Sequence, residues 1–408
     1  MRTIERIIDK LDLKEFQLRA LLDVTKAINN NLGRSDLLAL YGGFIHDQLG
    51  ITRMLLFERV DGWKPILSHG ASAVELEGDF DLLFGGYKDI TVITDEQERR
   101  MGGFDVAIPV FHLDQPLAFL LIGDLEEEEQ RMSPVVKHLN FIQTLTNLIA
   151  VALENKRLGK QALQQERDKR ELELAAEMQN MLIPRDLPHT ERFEAAAWYQ
   201  PHRQVGGDYY DLITLNDNEL VIAVADVSGK GISAALLMSH FQATLRALLQ
   251  YTDEPLDELV HDLNDKVFTN ARGERFVTLF IGRLDLRSGR LRFVNAGHNP
   301  PIVHHNGAVR ELTSGSIALG MLAKLPFLHV GETILASGST ILCYTDGLVE
   351  QEDAREEPFG TAPLKKALID FSLAGADSLN TAIIGDFEAH RAGLPYLDDI
   401  ALLTCCLR

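Results

Sequence analysis

From Gln161 to Ile183 the chain contains neither proline nor glycine and is dense in strong helix formers, with its charge concentrated between Glu166 and Glu173. Such a stretch reads as one exposed helix of about six turns. Pro184 ends it, because the residue before a proline is pushed out of helical geometry. At 408 residues the chain is too long for a single core, so this helix reads as a connector between an N-terminal and a C-terminal domain. Its apolar positions, Leu163, Leu172, Leu174, Met178 and Met181 among them, are irregularly spaced for a heptad seam. A parallel coiled coil and a solvated spacer both stay open.

Lys and Arg total 40 against 60 Asp and Glu, a net charge of −20 that repels phosphate backbones and argues against a nucleic-acid partner. The same balance suits cation sites. No apolar run approaches the length of a bilayer span, and the opening residues lack a signal-peptide pattern, so a cytoplasmic protein without membrane association is expected. Cys343, Cys405 and Cys406 are too few for a disulfide framework and read as buried small hydrophobes.

Residues 14–48 carry helical periodicity in two pieces, the second opening near Ser35. Strand-like runs follow: 54–60 and 65–68 flank Asp61-Gly62, and 106–111 meets 117–122 as a hairpin. A long helix from about Ser133 to Leu158 closes the segment. This order resembles a GAF-type sensory domain over roughly residues 15–155. His46, His69 and His112 form no constellation for a chromophore or haem and read as surface or core residues.

From Phe193 onward strands dominate, at 195–199, 209–214, 220–224, 277–284, 291–295, 301–305, 340–344 and 400–407. Two helices interrupt them, one after Gly229-Lys230-Gly231 and one behind Pro255, and Ser288-Gly289 and Asn306-Gly307 mark hairpin turns. Blocks of strands separated by paired helices, without βαβ alternation, predict an α+β fold: an antiparallel sandwich with helices packed outside it.

Four acidic motifs end apolar strand-like runs: Gly206-Gly207-Asp208-Tyr209-Tyr210-Asp211, Ala225-Asp226-Val227-Ser228-Gly229-Lys230-Gly231, Tyr344-Thr345-Asp346-Gly347 and Leu397-Asp398-Asp399-Ile400. Hard divalent cations take oxygen ligands, and a pair of them needs several convergent aspartates. Each motif alone is a turn former. Together with Gln179 to Pro184, Val277-Thr278-Leu279-Phe280 and Asn295 to Pro301, they resemble the metal-dependent protein phosphatases of the PPM family, in the bacterial branch of the sporulation stage II E phosphatase and the sigma-factor regulators.

The resemblance covers roughly residues 175–408. It implies an antiparallel β-sandwich phosphatase domain at 189–408, a helical signalling linker at 156–188 and the GAF-like sensor at 1–155. It also implies two Mn²⁺ or Mg²⁺ ions held by Asp208, Asp226, the Val227 carbonyl, Asp346 and Asp398, with these aspartates as the catalytic set. Asp211 and Asp399 are candidates to orient the ligands, or else turn residues. His298 is a candidate proton donor to the leaving serine oxygen, with a structural turn the stronger reading, and Lys230 is a candidate phosphate or substrate contact against a plain surface role. Ala401 stands where the family usually has threonine, and the phosphate-gripping arginine of the eukaryotic branch has no match. The implied activity is serine/threonine phosphatase, its substrate a phosphorylated anti-anti-sigma protein of STAS type, and its expected assembly a homodimer. The alternative is a phosphatase-fold binding module that sequesters a regulator without chemistry.

Overall fold

A computed structural model describes residues 2–73, 76, 78–93, 101–112, 114–123, 138–252, 254–371 and 374–408. By its internal contacts the chain divides into two compact units, Met1–Arg167 and Asp168–Arg408.

In the first unit α1 (Arg2–Asn29) and α2 (Arg34–Gly43) precede a π-helical turn, Phe44–Gln48, where the second predicted helix was expected to continue as an α-helix. The strands β1 (Arg53–Arg59), β2 (Trp63–His69), β3 (Thr91–Val92), β4 (Val106–His112) and β5 (Gln115–Gly123) form an antiparallel sheet in the order β2-β1-β5-β4-β3. Asp61 and Gly62, both at positive φ, turn the chain between β1 and β2. Strand β1 reads as an unbroken apolar run because both of its faces are covered. Met54 and Leu56 pack with residues of α1 and α2, whereas Leu55 and Phe57 join Phe104 and Phe119 and, from α3 (Phe80–Phe84), Phe84 in a second core.

One helix, α4 (Leu139–Asn180), replaces the expected exit helix and connector, and the expected start at Ser133 lies outside the described residues. Ile142, Leu145, Ile149 and Leu153 of α4 are buried in the first unit's core, while Leu158, Leu163 and Leu174 are exposed.

The second unit is the predicted sandwich. One sheet contains β7 (Tyr209–Asn216), β8 (Glu219–Val227), β9 (Val277–Asp285), β10 (Arg290–Ala296), β13 (Gly315–Ser316) and β14 (Gly331–Ile334), in the order β13-β10-β9-β8-β7 with β14 also on β10. The other has the order β12-β11-β15-β16-β6, from β6 (Phe193–Gln200), β11 (Ile302–His305), β12 (Ala308–Glu311), β15 (Thr340–Tyr344) and β16 (Ile400–Leu407). Ile222 and Val224 of β8 meet Ile341, Cys343, Leu403 and Cys405 between the sheets. Alternation sends Val221, Ala223 and Ala225 to the opposite face, against Met238, Phe241 and Leu245 of α5 (Ile232–Tyr251) and Leu259 and Leu263 of α6 (Leu256–Ala271). By length and composition α5 could cross a membrane, yet those side chains are spent on the sheet. All three cysteines are buried and free.

The sequence reading foresaw α5 and α6 but missed three helices that follow: α7 (Asp346–Val349), α8 (Ala362–Phe371) and α9 (Ala376–Arg391). Leu364 and Leu368 of α8 and Leu379, Ile383 and Phe387 of α9 cover the outer face of the second sheet beside Ile302, Leu342 and Leu402. Their apolar spacing is helical, but small and polar residues dilute the stripe to a few positions.

Candidate active site

Carboxylates from four separated segments are brought to one end of the sandwich, where they act on each other electrostatically. Asp208 enters β7, Asp226 lies near the end of β8, Asp346 opens α7 directly after β15, and Asp398 and Asp399 precede β16. Antiparallel pairing sets Tyr209 opposite Ala225 and Tyr344 opposite Leu402, so each acid is carried by the end of a buried strand.

Glycines make the approach possible. A Cβ on Gly207 would stand 2.9 Å from the Val227 carbonyl oxygen, and one on Gly347 would stand 2.0 Å from the Asp399 carbonyl oxygen. Side chains there would separate the segments that carry the acids. Asp399 ties the first loop down, its Oδ2 accepting from the Gly207 N–H at 2.6 Å and its Oδ1 from the His202 N–H at 2.8 Å. The Thr345 hydroxyl donates to Asp208 Oδ2 at 2.6 Å and accepts from the Ala401 N–H at 2.8 Å, joining β7, β15 and β16 through one oxygen.

Asp208 is 1% exposed, and burial followed by repulsion from Asp226 holds its proton affinity well above the ordinary carboxylate range, while the Thr345 hydrogen bond opposes the shift. Asp226 is pushed up to about 7 by burial and then by Asp346. Burial raises Asp346 as well, with Glu350 and Asp398 adding to it, and it raises Asp399 against the hydrogen bonds from His202 and Gly207. Asp398 is half-exposed and takes the Lys230 ammonium at 2.7 Å, while the same ammonium donates to the Leu397 carbonyl at 2.6 Å.

Other sequence candidates have different surroundings. Asp211 is fully buried, but both of its oxygens are taken by Arg246 of α5, at 2.7 and 2.8 Å, with the Tyr209 hydroxyl and the Leu212 N–H adding to them. It fastens β7 to α5. His298 is buried beside Thr278, whose hydroxyl lies 2.9 Å from Nδ1, and Thr278 is the strand partner of Asp226. Burial pushes the ring down to about 4, so near pH 7 it is a neutral imidazole with a single ring N–H, a weak acid toward a leaving group. Its Nε2 is buried without a hydrogen-bond partner among the described residues.

Several contributors escaped the sequence reading. Gln179, near the end of α4, bonds the backbone of Gly206. Arg275 reaches the Ser228 carbonyl at 2.5 Å and the Ser233 hydroxyl at 2.8 Å, bridging the loop after Asp226 to the start of α5. Thr345 lies inside the Tyr344 to Gly347 motif and Gln179 inside the Gln179 to Pro184 segment, though neither was singled out for a role; Arg275 had no signal short of the fold.

Among the described residues, no group of three or more His, Cys, Asp or Glu side chains stands ready-made to hold a metal ion. The donor chemistry nevertheless fits a hard cation: carboxylates and a main-chain carbonyl, with mutual repulsion that added positive charge would relieve and with Lys230 paired to Asp398 alone among them.

Residues 216–408 match the family model of stage II sporulation protein E, SpoIIE. The matched residues all lie in the C-terminal unit and amount to just under half of the chain. The match begins after Asp208, so the place of that residue in the acidic cluster rests on the geometry above. The chain is 29% identical over 262 residues to protein IcfG of Synechocystis sp., covering 57% of this chain and 41% of that one. It is likewise 29% identical over 189 residues to phosphoserine phosphatase RsbU of Bacillus subtilis, covering 46% and 55%. Thus the chain spans about half the length of these curated relatives. Among solved structures, the SiaA-PP2C domain of Pseudomonas aeruginosa superposes with a TM-score of 0.54 at 22% identity, covering 60% of this chain and all of that one (100%), a likeness of fold.

Proposed function

We propose that the chain is a metal-dependent protein phosphatase acting on phosphoserine or phosphothreonine, working in the cytoplasm under the control of its N-terminal unit. The observation that carries this reading is the convergence of Asp208, Asp226, Asp346 and Asp398 in one buried-to-half-buried cluster whose charges raise the proton affinity of Asp208, Asp226 and Asp346. The names of RsbU and of RsbP, a second Bacillus subtilis relative, as phosphoserine phosphatases support it.

In this reading Asp208, Asp226, the Val227 carbonyl, Asp346 and Asp398 hold two Mn²⁺ or Mg²⁺ ions. Bound there, such ions supply hydroxide near neutral pH and neutralise phosphate oxygens. The chain's own part is positioning. Thr345 fixes the Asp208 carboxylate, Asp399 pins the loop that leads into it, and Lys230 neutralises Asp398 until another cation takes that place. The low exposure of Asp208 excludes bulk water from the base of the site and strengthens every interaction there.

The substrate would be a phosphorylated STAS-type anti-anti-sigma protein. Residues 1–155 would form a GAF-like sensor, 156–188 a signalling linker and 189–408 the phosphatase, with the sensor and linker forming a homodimer. A second reading, a module that binds its regulator without chemistry, is favoured by one observation: the lack of a ready-made coordination shell among the described residues.

Phosphate release from a phosphoserine protein by the wild-type chain and by Asp346→Asn, with Mn²⁺, Mg²⁺ or chelator, separates the two. Metal-dependent release that disappears in the variant supports the enzyme; equal release by both chains, or none by either, overturns it.

A further inference from the structure

The hydroxyl of Tyr199 is buried and has no hydrogen-bond partner among the described residues. Tyr199 stands on β6 opposite Ala401, and its oxygen packs over Gly206, where an added Cβ would lie 2.6 Å from that oxygen and 2.8 Å from Asp399 Cγ. After burial itself, the charges of Asp208 and Asp399 act most strongly on the phenol, and both raise its proton affinity. It is therefore a neutral donor facing carboxylates that have other partners. Both Asp399 oxygens accept main-chain N–H groups, and Asp208 Oδ2 accepts from Thr345.

A buried donor without an acceptor is destabilising, and phenylalanine would fill the same space without that cost. The hydroxyl makes physical sense if its acceptor arrives with a ligand. We propose that Tyr199 is a positioning residue whose hydroxyl is held for a hydration water of a divalent cation gathered by Asp208 and its neighbours. This rests on the cation-site reading above and adds to it a residue that is not itself a ligand. Groups that orient a cation's ligands from behind typically change its affinity by about 10- to 100-fold.

The test compares the full-length chain with Tyr199→Phe, a substitution that removes one oxygen. Thermal melting in chelator reports on the cation-free fold, and calorimetric titration with Mn²⁺ alone reports on the site. The expected result is a variant that melts at the same or a higher temperature in chelator and binds Mn²⁺ about tenfold more weakly. An unchanged Mn²⁺ affinity would overturn the proposal. So would a melting point several degrees lower in chelator, which would show that the hydroxyl already has a structural partner. Failure of the wild-type chain to bind Mn²⁺ would instead remove the cation-site reading, and the role of Tyr199 with it.

Discussion

The side-chain amide of Gln179 engages both polar groups of Gly206: Nε2 donates to the Gly206 carbonyl at 2.7 Å, and Oε1 accepts from the Gly206 N–H at 3.1 Å. Gly206 lies two residues before Asp208, and Gln179 lies one residue before the end of α4. The helix end is thus tied to the loop that presents the most buried acid of the cluster. Just beyond it, the Pro184 carbonyl accepts from the Tyr210 hydroxyl at 3.0 Å, so the helix exit is tied to β7 as well.

Replacing Gln179 with leucine leaves the N–H and C=O of Gly206 unpaired in a buried place. Each orphaned group costs about 1–3 kcal/mol, and the urea midpoint of the second unit's transition should fall accordingly. The Mn²⁺ concentration for half-maximal phosphate release should also rise, because Asp208 loses the brace on its loop. A leucine variant with wild-type urea and Mn²⁺ curves would show that this bracket carries no weight.

Gly229 has two reasons to be glycine. Its φ is +89°, and a Cβ there would sit 2.0 Å from an Arg275 guanidinium nitrogen. Gly229→Ala should destabilise the second unit by about 1–3 kcal/mol, the range for a strained backbone position. Arg275→Ala forfeits the hydrogen bonds to Ser228 and Ser233 and so serves as its own reference: on that background the steric part is gone and the φ part remains, so Gly229→Ala should recover only a portion of its loss. Full recovery in urea melts would show that the backbone conformation is free to adjust.

The acidic cluster also sets the direction of the pH dependence. Asp226 is pushed up to about 7, and Asp208, Asp346 and Asp399 are raised as well, so the folded chain holds more protons than the unfolded one between the ordinary carboxylate range and about 7. In chelator, the contribution of these groups to stability is fully present below about pH 4 and is lost as pH rises through 7. With Mn²⁺ the trend should reverse, since ionised carboxylates are the ligands and affinity grows as they lose protons. Melting temperatures across pH 5 to 8, with and without Mn²⁺, check both signs; parallel curves would contradict the cluster's coupling to a cation.

The sandwich was legible because its strands are buried on both faces and read as unbroken apolar runs, as at Leu220 to Ala225, with glycine turns between them. The acids were legible because each stands at the end of such a run. What sequence could not show was which neighbours the fold would bring to them. Asp211 and Asp399 both adjoin motif aspartates, yet Asp211 is claimed by Arg246, thirty-five residues away, while Asp399 braces Gly207 across a separation of 192 residues. Pairings of that range depend on strand register rather than local pattern. Helices α8 and α9 escaped for a different reason: each puts only a few apolar residues on the sheet, too few to stand out in a segment rich in small and charged residues.

Thr345 offers the sharpest test of how the cluster is positioned. Its oxygen donates to Asp208 and accepts from the Ala401 N–H, and it is fully buried. Valine has nearly the same shape but can do neither, so Thr345→Val strips a hydrogen bond from a desolvated carboxylate and orphans a main-chain N–H. A lost hydrogen bond costs about 0.5–1.5 kcal/mol and an orphaned buried N–H about 1–3 kcal/mol, and the variant should lose at least about 1 kcal/mol in urea melts. The pKa of Asp208 should rise further, since the Thr345 hydroxyl is what lowers it, and protons then compete better with a cation. Mn²⁺ affinity at pH 7 should fall by about 10- to 100-fold and recover partly as pH is raised. Serine retains the hydroxyl and should restore both properties to near wild type. Valine and serine variants with equal Mn²⁺ affinity would mean that the hydroxyl serves packing between β15 and β16 and leaves the acids untouched.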